Sequence, residues 1–60
     1  LRDYKLYLID IDEAVEKILT FTDGYNYEKF CIDAKTVDAV VRNLEIIGEA
    51  AKHIPEKAKG

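Results

Sequence analysis

The sequence is short of most of the residues that hold small proteins together. It has one cysteine in 60 residues, so no internal disulfide can form, and one histidine, so no Cys/His zinc cluster is expected. It has no tryptophan, no methionine, one proline and three glycines. It also lacks a basic excess. Nine Lys and Arg against twelve Asp and Glu leave a net charge of −3, which argues against a tight, sequence-blind nucleic-acid binder. No apolar run approaches the roughly 18 residues that span a bilayer, and no signal-peptide pattern is visible, so no membrane partner is expected. A lone unpaired cysteine suits the reducing cytoplasm, the expected compartment. Cys31 reads as a small apolar residue rather than a catalytic thiol, because no histidine is near it in sequence.

What remains is still a folding composition. Residues are 48% hydrophobic and 35% charged, a balance seen in globular rather than disordered chains. A chain this short buries only about 60% of its unfolded surface. Without a disulfide or metal it needs another protein surface, from a second copy or from the rest of a longer chain.

The apolar residues recur with helical spacing. Tyr4, Tyr7, Leu8, Ile11, Ala14, Val15, Ile18 and Phe21 fall on one stripe, which predicts an amphipathic helix over residues 2–22. Glu13 and Lys17 form an i,i+4 pair on its far side. Gly24 in "TDGYN" is a natural stop in a turn over 23–26, and Asn26 can cap the next helix, with Glu28 in its first turn. A second helical stretch is expected over 27–54, with a possible break at Asp33, a plausible internal cap. Pro55 ends it, and the polar tail 55–60 is expected to fray. The expectation is one partial domain, an all-α antiparallel helical hairpin.

Both helices carry more apolar surface than one partner covers. Around Gly48 lie Val37, Val41, Leu44 and Ala51, with Val40, Ile47 and Ile54 extending the arc and Ala39, Ile46 and Ala50 carrying it further. Leu6 and Ile9 add apolar area to the otherwise polar side of the first helix. Such an excess marks an interface, and a four-helix assembly would cover it. Gly48 within the arc, with Ala50 and Ala51 beside it, reads as a site of close helix packing, with room for a ligand as the alternative. Asn43 projects into the same arc, where its amide must find a partner and can set register between helices.

The polar arc of the second helix is narrow and dense. Asp38, Arg42, Glu45, Glu49, Lys52 and His53 fall within it, with Asp38–Arg42 and Glu49–His53 as attractive i,i+4 pairs. Three readings stay open: a solvated face, a polar cleft at an oligomer seam with Arg42 and Glu49 facing a partner, and a metal site from Glu45, Glu49 and His53. The metal reading lacks a fourth ligand, so no metal and no cofactor is expected. His53 reads as a C-terminal dipole partner. Tyr4 and Tyr7 read as core edges with wet hydroxyls, although Tyr4, Tyr7, Tyr25 and Tyr27 are all of a type that stacks on bases.

Three segments carry a resemblance. "RDYKLYLIDIDEAVEKI", "FTDG" and "YEKFCIDAKTVDAVVRNLEIIGEAAKHIP" together resemble the first half of the HepT-like proteins, with "DAVVRNLEIIGEAAK" the most specific part. That family comprises small all-helical HEPN-domain proteins of bacterial and archaeal toxin–antitoxin pairs. The resemblance implies a four-helix HEPN-like bundle, completed by a missing segment or by oligomerisation, and a ribonuclease toxin acting on RNA as a homodimer or higher homo-oligomer. It also implies a cognate nucleotidyltransferase antitoxin that AMPylates a tyrosine just after the catalytic histidine. The family's catalytic arginine and histidine stand at short spacing on a later helix. Here the one histidine, His53, follows Arg42 with ten residues between them. No catalytic residue therefore carries over, none of the four tyrosines matches the modified one, and the chain alone is expected to be inactive. Arg42, Asn43 and Glu49 match the family's "RNLEIIGEA" segment, which places them at a polar seam beside the missing motif. A non-enzymatic helical oligomerisation or protein-interaction module is the alternative.

Overall fold

An aspartate decides where the first helix starts. In the computed structural model, which describes residues 2–59, the Asp3 carboxylate accepts from the Lys5 amide at 3.0 Å. Helix α1 runs Tyr4–Thr22 behind it. Arg2 stays outside the helix, because a capping carboxylate satisfies an amide that the helix end would leave orphaned. At the far end Gly24 takes φ +76°, a left-handed conformation that a Cβ would make costly. The Asn26 side chain then accepts from the Lys29 amide at 2.8 Å, and helix α2 spans Tyr27–Ile32.

The second helical stretch is two helices jointed at Asp33. This residue ends α2 and caps α3 (Ala34–Ala51). Its carboxylate accepts from the Thr36 amide at 3.1 Å and from the Tyr25 hydroxyl. The Lys29 ammonium lies 4.5 Å from the centroid of the same tyrosine ring, so one aromatic residue ties the corner together.

These donors, the Tyr25 hydroxyl foremost, hold the Asp33 carboxyl below its ordinary value. A carboxylate favoured by folding stabilises fully above the ordinary value of 3.8. That contribution is lost as pH falls through the lower folded value. Thermal melts of the folded protein should therefore lose this contribution only below pH 3.8. Asp33→Asn, which still caps a helix, should remove that part of the acid slope. The same slope in both proteins would show that the charge at this corner is idle.

Helix α3 stops at Ala51, short of the Ile54 expected from periodicity. Proline disfavours helical backbone in the residue before it, and the chain tightens on the way to Pro55. The His53 amide donates to the Ala50 carbonyl at 3.0 Å and the Ile54 amide to the Ala51 carbonyl at 3.2 Å. The tail, expected to fray, instead closes one helical turn, α4 (Glu56–Lys59). There the Ala58 amide donates to the Pro55 carbonyl at 2.9 Å. Proline suits a helix start, having no N–H to leave unpaired and a φ already near the helical value. The last residue of the tail, Gly60, lies outside the described residues.

All regular structure among the described residues is helical, and α1 packs antiparallel on α3 as a hairpin. Its extents are 39 × 16 × 16 Å and its radius of gyration 13.7 Å, against roughly 10 Å for a globule of this length. The core is correspondingly thin. Among the described residues Ala14, Ala50 and Ile54 are the buried apolar ones, and none of their large side chains is fully enclosed. Alanines at a helix contact let backbones approach closely, so within the hairpin Ala14 and Ala50 fill that role. Ala51 is only half-buried. At Gly48 an added Cβ would meet nothing within 4 Å, so α1 does not pack against it.

The two sides of the hairpin differ in character. At 100° per residue, Leu8, Val15 and Leu19 lie on one flank of α1, and Val41, Leu44 and Gly48 on the matching flank of α3. Antiparallel packing turns these flanks to the same side. The large residues there are exposed: Leu8 45%, Leu19 61%, Val41 45% and Leu44 54%. The opposite side carries Asp10, Glu13 and Lys17 from α1 with Arg42, Glu45 and Glu49 from α3. One side is bare hydrocarbon and the other is charged.

Candidate functional site

On the charged side, Tyr7 and Asp10 of α1 face Arg42, Glu49 and Ala50 of α3 across a groove of about 310 Å³. Glu45 and Ile46 complete the α3 wall, and His53, just past the helix, completes the end. A second recess of about 200 Å³ continues along the same side. It shares Asp10 and Ile46 with the first and adds Glu13, Ala14, Lys17 and Asn43. The three residues expected at a polar seam thus share one side, Arg42 and Glu49 in the groove and Asn43 in the adjoining recess. Gly48, next to Glu49 in sequence, faces the bare side instead.

Asn43 is 5% exposed, and its amide nitrogen donates to the Ala39 carbonyl one turn back at 2.8 Å. That bond answers the cost of burying an amide, which without a partner would be about 1–3 kcal/mol. It also fixes the side chain against its own helix rather than across to α1.

The end of the groove is built from residues far apart in sequence. The Tyr7 and His53 rings stack with centroids 4.4 Å apart and planes 12° apart, and the Arg2 guanidinium lies 4.5 Å from the Tyr7 centroid. Arg2 also bonds Asp10 at 2.9 Å, which raises the arginine above its ordinary pKa and neutralises a groove carboxylate. The expected role of His53 is corrected here. His53 leaves the helix at Ala51, so its ring turns to Tyr7 instead of pairing with Glu49 or the helix end.

The other ion pairs also differ from expectation. Glu49 pairs with Lys52 at 3.0 Å, while the Asp38–Arg42 and Glu13–Lys17 pairs do not form. Exposed pairs of this kind contribute only about 0.2–0.5 kcal/mol, too little to hold two long side chains in one geometry. Arg42 is left with no hydrogen-bond or ion-pair partner among the described residues. Among the described residues no three of His, Cys, Asp and Glu gather closely enough to hold a metal ion, so Glu45, Glu49 and His53 do not converge. Cys31 is exposed on α2, away from the groove, rather than in the core. No helix of the described residues is long and apolar enough to cross a membrane.

Chemically, the groove offers an arginine able to bind an anion, carboxylates able to accept from hydroxyl or amino groups, and an exposed imidazole face. Arg42 and His53 both line it, yet eleven positions span roughly 16 Å along a helix. They do not form a close arginine–histidine pair.

Residues 11–60 match the family model described as "Ribonuclease HepT-like". The "Probable ribonuclease HepT" of Thermococcus cleftensis is 53% identical over 97% of this chain and 53% of its own length. The "Putative RNase MJ0127" of Methanocaldococcus jannaschii is 44% identical over 92% of this chain and 46% of its own. No solved structure matches the chain. The chain spans about half the length of the curated relatives it matches. On its sequence and its all-helical fold, this chain belongs to the HepT-like ribonuclease family.

Proposed function

We propose that these residues form the first helical hairpin of a HepT-like ribonuclease toxin, with the catalytic arginine–histidine pair supplied by residues beyond them. The observation that carries this reading is the bare side of the hairpin in a chain half the length of its relatives. The remaining helices would cover Leu8, Leu19, Val41 and Leu44, completing a four-helix bundle that acts as a homodimer in the cytoplasm. The charged groove, with Arg42, Asn43 and Glu49, would then border the catalytic pair. A cognate nucleotidyltransferase antitoxin would silence the toxin.

RNA cleavage needs a group that takes the 2′-hydroxyl proton and charge that stabilises the phosphorane. Arg42 supplies charge, whereas the one histidine here is held flat against Tyr7. The test uses the full reading frame beside the 60-residue chain. The longer protein should cleave RNA, and replacing its downstream histidine should cost about a hundredfold or more. The short chain should cleave nothing. Metal-free cleavage by the short chain would overturn the assignment of catalysis to residues outside it.

A further inference from the structure

We propose that the groove between α1 and α3 is a subsite for single-stranded RNA, with a base stacked on His53 and a backbone phosphate on Arg42. This rests on the ribonuclease reading and adds to it where, on these residues, the substrate is held. The Arg2–Tyr7–His53 stack ends in an imidazole that is exposed and lines the groove. An aromatic ring already fixed on one face is a ready platform for a base on the other, and stacking of this kind tolerates any base. At the far end of the groove stands Arg42, the one arginine or lysine among the residues that line it, with no hydrogen-bond or ion-pair partner among the described residues. A planar guanidinium free of carboxylates is suited to a phosphate.

The acidic lining bears on which anion fits. Glu45 stands one turn from Arg42 and would repel a bare phosphate. Against RNA it is an acceptor for a base amino group. The separation of Arg42 from His53 along the hairpin also favours a run of nucleotides over a free one. The chain's negative net charge fits a site with one phosphate contact rather than a basic binding face.

The test measures binding of a short 2′-O-methylated oligoribonucleotide, which resists cleavage, to the full-length protein. His53→Ala should weaken binding between about fivefold and a hundredfold, the range for loss of one stacked base, while His53→Phe should keep most of the affinity. Arg42→Ala should weaken binding and lower the salt slope by about 0.7. AMP, able to engage one end only, should bind more weakly than the oligomer. Arg42 is exposed and unpaired, so its replacement leaves the fold intact and decides the matter if His53→Ala proves unstable. Unchanged affinity and salt slope in Arg42→Ala would overturn the subsite, as would equal losses in His53→Phe and His53→Ala. Sensitive binding by a full-length protein that cleaves nothing would support the subsite and overturn the ribonuclease reading instead.

Discussion

At low micromolar concentration the 60-residue chain on its own is expected to be only partly helical, and to gain helix as concentration rises. The reason is the bare side of the hairpin. Leu8, Val15, Leu19, Val41 and Leu44 are between 40% and 61% exposed. Burying such a side chain completely is worth about 1.5–3 kcal/mol, so covering the exposed half of each is worth about 1 kcal/mol. The five together come to about 5 kcal/mol, which is on the scale of the whole stability of a small domain. The core that remains is two alanines, one isoleucine and a self-satisfied asparagine. Circular dichroism over a dilution series, with sedimentation equilibrium beside it, measures both quantities. A monomer with full helicity and a cooperative melt at every concentration would mean that the open flank needs no cover.

Gly48→Ala is expected to change sign with context. In the isolated chain the new methyl meets nothing within 4 Å, so only the helix propensity counts. Alanine favours a helix over glycine by about 1 kcal/mol, and helicity should rise. In the longer protein, if another helix packs over the bare side, the same methyl lies at the contact between backbones. Overpacking there costs about 1–3 kcal/mol, lowering the melting temperature by several degrees. Melts of the two Gly48→Ala proteins against their parents decide it. Stabilisation in both would leave the glycine without a packing role.

The elements that were legible in the sequence are those set by neighbours along the chain. Gly24 as a stop, Asn26 as a cap and Asp33 as a joint are each local bonds or local backbone geometry. The helix ends were less legible. Asp3 excluded Arg2 from α1, and Pro55 withdrew the final turn of α3 while starting a turn of its own. In both cases a side chain or ring competed with periodicity and won. Helical phase put Arg42 and Glu49 together on the polar arc, whereas Asn43, about 100° round the helix from Arg42, was joined to them only by the family segment. Tyr7 and His53 carried no such signal as partners. Their stack needs the antiparallel register of α1 on α3, which joins positions near opposite ends of the chain.

The sequence by itself determined the helices, their amphipathic stripes and the family, because spacing, caps and a specific segment are properties of the chain read in order. Only the tertiary structure decided which part of each broad stripe is covered. Two antiparallel helices can bury one narrow strip between them, so they leave the leucine flank open and bring the charged flanks together. That choice separates Gly48 from Glu49, sets Arg42 free in a groove and lays His53 on Tyr7.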